Sequence, residues 1–374
     1  MPEMDVHTKL RTYADPKLCQ ELLQEIKALV SRPLRFMEVC GTHTVSIYHS
    51  GLRALLPQEV EHISGPGCPV CVTHAREVAA CVHLAFEPEV IVASFGDMLR
   101  VPDAQGRSLK TAKAQGADVR ICYSPLDALE IASEQAHKQV VFLGVGFETT
   151  APAVAAMVKQ AAKRNIFNLS VLSCHKLIPP ALRHLMQQGE TLVDAFILPG
   201  HVCTIMGVQP FRFISHEFNV PGAVAGFEPA DILMALRCLA LQQAEGLVEA
   251  PNAYPRGVTE EGNRAAQAVM QEVFRQTSVS WRGLGRIEDS GLTLAPEYAR
   301  FDAWNRFDFS GVAGDDPPGC RCGEVLKGSL HPRRCPLFGR TCTPSHPVGP
   351  CMVSTEGSCA AVFRYGLDGD LGGG

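Results

Sequence analysis

Short runs of β-branched and apolar residues recur through the middle of this chain, and each one breaks into a loop followed by a helix-prone stretch. They fall at residues 90–95, 140–145, 169–172, 196–198 and 223–225. Two strands joined through a helix are free to pair in parallel, whereas a tight hairpin forces them antiparallel. Parallel sheets carry their crossover helices on both faces, so their strands read as nearly continuous apolar runs. The pattern therefore predicts an α/β protein built on parallel sheets. In such sheets functional loops gather at the carboxyl ends of strands, and Asp97, Glu148, His175, His201 and Glu228 each follow one of these runs. Gly-Phe-Glu occurs at 146–148 and again at 226–228, which suggests two related α/β units, one at 36–145 and one at 146–245. Before them, in a region 1–35, Leu18, Leu22, Ile26 and Leu29 lie at helical spacing over residues 16–30. After them Pro251, Asn252, Tyr254, Pro255 and Gly257 read as a linker. It opens a third region, 246–374, with a helix expected over 260–275 and no regular pattern beyond it.

The last part of that region has a different character. Thirteen of the 64 residues from Gly311 onward are Gly and seven are Pro, too many for long helices or central strands. Something other than an apolar core must fix such a segment, and it holds six cysteines. Cys320, Cys335, Cys342 and Cys359 are separated by 14, 6 and 16 residues, with Cys322 and Cys351 left over. Four thiolates on loops hold either zinc or a [4Fe–4S] cluster. Structural zinc usually takes two tight knuckles, which are missing here, whereas a cluster spreads its ligands over four irons. Spacing favours the cluster and leaves zinc open.

The rest of the composition narrows the class. With 46% hydrophobic and 20% charged residues the chain is ordinary globular material. A net charge of −5 gives no general basic surface for nucleic acid. The opening Met-Pro-Glu-Met-Asp lacks a signal-peptide layout, and no apolar run approaches membrane-spanning length. A soluble, cytoplasmic protein is expected. In that reducing compartment fifteen cysteines point to metal or redox work. Cys19, Cys81, Cys122, Cys174, Cys203 and Cys238, scattered through apolar segments, read instead as small buried hydrophobes.

Two motifs near the start carry the chemistry. Gly65-Pro66-Gly67-Cys68-Pro69-Val70-Cys71 places two thiols three positions apart behind a turn. Such a pair closes a disulfide, releases two thiols or grips a soft metal. A helix starting after Cys71 would lower the thiol pKa values through its N-terminal N–H groups. Upstream, Cys40-Gly41-Thr42-His43-Thr44 follows a short strand at 35–39. Gly41 frees the backbone to bring the Cys40 thiol close to a partner, and His43 supplies an acid–base group or a donor to a bound ligand. Glu148, Thr149 and Thr150 read equally as a helix cap and as site residues. His201, after Pro199-Gly200, is expected to line the same crevice, while Glu356 reads as a solvated loop charge.

Taken together, Cys40–Thr44, Gly65–Cys71, Gly146–Thr150, Pro199-Gly200-His201-Val202 and the cysteine-rich tail resemble the HypD family of hydrogenase maturation proteins, over essentially the whole chain. The resemblance implies a scaffold on which the Fe(CN)2CO group of [NiFe]-hydrogenase is assembled. Cys40 would hold the iron with His43 beside it. Cys68 and Cys71 would be a redox-active pair near that iron and ligands at some stage. Cys320, Cys335, Cys342 and Cys359 would bind a [4Fe–4S] cluster that feeds electrons to the pair. The implied partners are a small HypC-like protein, in a 1:1 complex with a monomer of this chain, and a HypE-like cyanide donor. Two other classes compete with this on the residues alone: a thioredoxin-like thiol–disulfide oxidoreductase using Cys68 and Cys71, and a plain iron–sulfur electron carrier. A nucleotide-binding α/β enzyme is disfavoured, since no Gly-x-Gly-x-x-Gly or phosphate-binding Lys motif follows a strand.

Overall fold

A computed structural model of the chain describes Tyr13 and residues 15–189 and 193–366. Parts of the expected end regions, 1–12, 14 and 367–374, lie outside the described residues. The first helix, Pro16–Leu29, starts where expected because Asp15 caps it, its carboxylate accepting from the Lys17 N–H, and Pro16 occupies its first turn. Leu22 and Ile26 on its inner face pack against the long helix Pro229–Glu245. Burying each of these side chains contributes about 2 kcal/mol.

Eight strands form two parallel sheets, as the alternation of strand and helix predicts. In the first sheet the order is β2 (Val60–Ser64), β1 (Leu34–Glu38), β7 (Ala195–Pro199), β8 (Gly222–Ala225). In the second it is β4 (Asp118–Ile121), β3 (Val90–Ser94), β5 (Gln139–Gly144), β6 (Leu169–Ser173). The strands do not sort at residue 145. β5 and β6, on either side of it, pair with each other through Val140–Leu169 to Gly144–Ser173. β1 pairs instead with β7, with Phe36 opposite Ala195. The second sheet is thus inserted into the first, and the chain crosses between them twice. Apolar residues on both faces drive this arrangement: every residue of β3, β6, β7 and β8 is buried.

Beyond the linker, the helix Arg264–Val273 is shorter than expected at both ends. It runs straight into an antiparallel hairpin of β9 (Phe274–Trp281) and β10 (Gly285–Leu294). From 311 to 366 the chain is turns and short helices, the longest being Ser358–Tyr365. That helix packs on Gly41–His49, so the tail closes over the start of the first sheet. Among the described residues no helix is long and apolar enough to cross a membrane.

Candidate functional site

β1 ends at Glu38 and delivers Cys40 as the N-cap of the helix Gly41–His49. Beside it, β2 ends at Ser64 and runs into the Gly-Pro-Gly turn. The two motifs meet backbone to backbone. The Gly41 N–H donates to the Gly67 carbonyl at 2.8 Å, and the Gly65 N–H donates to the Glu38 carbonyl at 2.9 Å. A side chain at Gly67 would sit 2.2 Å from the Cys40 nitrogen, so glycine is required for this approach.

Cys68 and Cys71 form a disulfide with their Cα atoms 5.2 Å apart, and both are buried. The expected helix after Cys71 starts earlier. Cys68 caps a single turn, Pro69–Val72, with the Cys71 N–H donating to the Cys68 sulfur at 3.3 Å, and a second helix covers Ala75–Leu84. Cys71 therefore lies within the turn, and Pro69 occupies its first position, where a missing N–H costs nothing.

Cys40 is buried, and burial, reinforced by the nearby Glu356 and Glu38 carboxyls, pushes its thiol up to about 12. His43 is fully buried, and burial pulls its imidazole down to about 4. Its Nε2 donates to the Gly226 carbonyl at 2.8 Å, which leaves Nδ1 as the unprotonated nitrogen, without a hydrogen-bond partner. Its ring stacks on Phe227 at 4.7 Å, and His201 stacks on the same ring at 3.7 Å. His201 thus joins the site through Phe227, from an exposed position.

Sequence reasoning missed the polar floor beneath these groups. Glu38 is fully buried, accepting from the Cys40 N–H at 3.0 Å and the Thr44 hydroxyl at 2.5 Å, with His62 Nε2 3.4 Å away. Burial raises its carboxyl to about 8. Glu356 is no solvated loop charge. It accepts from the Thr42 hydroxyl at 2.9 Å, and a Cβ on Gly41 would collide with it at 2.6 Å, so Gly41 serves close packing. The pair is 314 residues apart in sequence, which no local pattern signals.

Other expected positions do different work. Thr150 caps Ala151–Lys163 without a side-chain bond, so the expected threonine cap is not made. Glu148 turns inward and accepts from the Ile178 N–H at 2.9 Å. His175 is buried against Gly144 and Phe274. Glu228 caps Pro229–Glu245 in a reciprocal arrangement with Asp231.

In the tail, Cys320, Cys335, Cys342 and Cys359 line one small cavity with Leu337, Phe338 and Met352. Among the described residues no three His, Cys, Asp or Glu side chains stand close enough to hold a single metal ion as placed. The environment nonetheless fits a thiolate cluster. The Val348 N–H donates to the Cys342 sulfur at 3.3 Å, and a Cβ at Gly349 would strike the Cys320 sulfur at 2.4 Å. Burial and then the other three sulfurs raise the Cys359 thiol, a repulsion that bound iron would relieve. The two leftover cysteines, Cys322 and Cys351, form a second disulfide, Cα to Cα 6.4 Å, on the same cavity wall. The helices that carry them, Cys322–Leu326 and Pro350–Val353, both pack on Pro69–Val72.

This arrangement has counterparts. The HypD family model, described as the hydrogenase formation hypA family, matches residues 17–366. The chain belongs to the HypD family. Hydrogenase maturation factor HypD of Escherichia coli is 46% identical over 361 residues, 94% of this chain and 96% of that protein. HypD2 of Bradyrhizobium diazoefficiens is 42% identical, covering 95% and 96%. A putative hydrogenase expression/formation protein of Methanocaldococcus jannaschii is 39% identical, covering 94% and 98%. The HypD match embraces both α/β sheets and the tail, so the Cys40 site and the tail cysteines all fall within it.

Proposed function

We propose that this chain serves [NiFe]-hydrogenase maturation as the scaffold on which Fe(CN)2CO is assembled, in a 1:1 complex with a HypC-like partner. The supporting observation is that the Cys40–His43 and Cys68–Cys71 motifs meet backbone to backbone through the close Gly67–Cys40 approach, with all four side chains buried. The iron is cargo. Cys40 is poised to receive it: buried among carboxyls, its thiol holds its proton until a cation arrives to replace it. His43, on the helix that Cys40 caps, offers an unprotonated Nδ1, and thiolate with imidazole suits low-spin iron.

Cyanide delivery from a HypE-like donor bearing a thiocyanate needs two electrons. As the reduced pair, two thiolates of Cys68 and Cys71 balance the step: R–S–CN plus two thiolates gives R–S⁻, CN⁻ and the Cys68–Cys71 disulfide. The disulfide is the oxidised end of that couple. A [4Fe–4S] cluster on Cys320, Cys335, Cys342 and Cys359 would supply the electrons that reopen it. Cys322 and Cys351 lie between, on helices touching Pro69–Val72, and a second dithiol–disulfide couple there can pass them on. Burial of both Cys68 and Cys71 speaks against a thioredoxin-like enzyme open to generic disulfides.

Anaerobic purification with the HypC-like partner, followed by infrared spectroscopy, tests this. Cyanide and carbonyl stretching bands are expected in the wild-type complex and absent in Cys40→Ala, with the iron–sulfur absorbance retained. Bands that persist in Cys40→Ala would remove Cys40 from the iron; a coloured protein that never shows bands, from cells making active hydrogenase, would leave only electron transfer.

A further inference from the structure

The tip of the β9–β10 hairpin reaches both cysteine regions at once. The Arg282 N–H donates to the Val72 carbonyl at 2.9 Å and its Nε donates to the Thr73 carbonyl at 3.1 Å, one and two residues beyond Cys71. Thr73 also bridges Trp281, the last residue of β9. On the other side Arg282 Nη1 donates to the Asp316 carboxylate, four residues before Cys320. The next residue, Gly283, lies so close to the tail that a Cβ on it would sit 2.4 Å from the Gly323 Cα. Two adjacent residues of the tip thus hold the Cys320 segment at both ends, and the same tip holds the end of the Cys68–Cys71 turn.

The Arg282 side chain is 2% exposed, whereas that of Asp316 is 52% exposed. A buried charge is costly unless its partners compensate it, and a half-exposed carboxylate compensates weakly because water screens it. Burial works against the guanidinium's charge, and Asp316 and then the Cys320 sulfur are the groups that most favour it, with Glu77 behind them. The Glu77 carboxylate is already committed to Lys176 at 2.6 Å. We propose that Arg282 is the positioning residue between the two redox centres: it fixes the Cys320 segment against the Cys68–Cys71 turn and keeps a positive charge beside the tail cysteines, which raises the reduction potential of a [4Fe–4S] cluster held there. This rests on the reading of Cys320, Cys335, Cys342 and Cys359 as cluster ligands. A thiolate-bound cluster gains negative charge on reduction, and a fixed cation in a buried setting favours that state. The tip that joins the two regions mechanically thus also sets how readily electrons enter the tail.

Redox titration of the full-length, anaerobically purified protein, followed by electron paramagnetic resonance, tests this. Arg282→Met keeps an unbranched side chain and removes the charge. It should lower the midpoint so that the reduced-to-oxidised ratio at a fixed potential falls about tenfold, which is about 59 mV for one electron. Arg282→Lys keeps the charge and should restore most of that loss. Asp316→Asn leaves the guanidinium uncompensated and should move the midpoint the opposite way, upward, by less because Asp316 is half exposed. Loosened packing would not give shifts of opposite sign. Midpoints unchanged in Arg282→Met and Asp316→Asn, or shifted in the same direction by both, would overturn the proposal. Should Arg282→Met fail to fold or to hold iron, the direction of the Asp316→Asn shift decides. A wild-type chain with no iron–sulfur signal at all would overturn the reading of the tail, and the proposal with it.

Discussion

Gly67→Ala is expected to lower stability by about 3 kcal/mol and to abolish hydrogenase maturation in cells. The new Cβ would lie 2.2 Å from the Cys40 nitrogen and 2.4 Å from the Val39 carbonyl carbon. Both are backbone atoms at the end of a buried strand, so no flexible side chain can yield. Overpacking of this kind costs about 1–3 kcal/mol, and here relief requires the two cysteine motifs to separate. The Gly41 N–H to Gly67 carbonyl bond would be the first casualty. Gly96→Ala is the matched control, since a Cβ there meets nothing within 4 Å. Urea unfolding midpoints and hydrogenase activity in complemented cells provide the readout. A Gly67→Ala protein as stable and active as Gly96→Ala would show that the close approach is dispensable.

The second large effect is a pH-dependent one at Glu38. Its carboxyl moves from about 4.5 unfolded to about 8 folded, chiefly through burial. Because the folded state holds the proton more tightly, the associated stability is full at acid pH. It is lost as pH rises from the unfolded pKa through the folded one, at up to about 1.4 kcal/mol per pH unit. Glu38→Gln mimics the protonated form and has no such loss. In the metal-free protein the variant should match wild type at about pH 5 and exceed it by a few kcal/mol at about pH 8.5. Glu38→Ala should be less stable than Glu38→Gln at both, because the Cys40 N–H and Thr44 hydroxyl lose their acceptor, at about 1–3 kcal/mol each. Parallel stability curves for Glu38→Gln and wild type across that range would place the ionisation elsewhere.

How much of this was legible in the sequence depends on distance along the chain. Strand runs, the first helix and the two cysteine motifs are local patterns, and they stand nearly where the residues indicate. Sheet membership is not local. Nothing in residues 34–38 tells β1 to pair with a strand that begins at Ala195. The same holds for Glu356, which meets Thr42 only after the tail folds back. The hairpin of β9 and β10 escaped for another reason: a register shift between Ile287 and Gly291 breaks the alternation that marks a strand. The Arg282-Gly283-Leu284-Gly285 turn, with both glycines at positive φ, was the signal available. Glu148 reads equally as part of a helix cap and as a site residue, and its burial cannot be read from Gly-Phe-Glu alone.

The insertion of one sheet into the other also dictates an order of events at the ribosome. β3 to β6 are complete once residue 173 has emerged, whereas β1 and β2 must wait for β7 and β8, which end at Ala225. The motifs that carry Cys40, Cys68 and Cys71 therefore leave the exit tunnel early but acquire their supporting strands late. Local units fold first during synthesis, so the inserted sheet should become protease-resistant on arrested nascent chains that end near its last helix, while the segment 34–72 stays cleavable. Equal protection of both at that length would contradict this order. Until β7 arrives β1 lacks one of its two neighbours, so any chemistry that needs the finished Cys40 site waits until the strands through Ala225 have emerged.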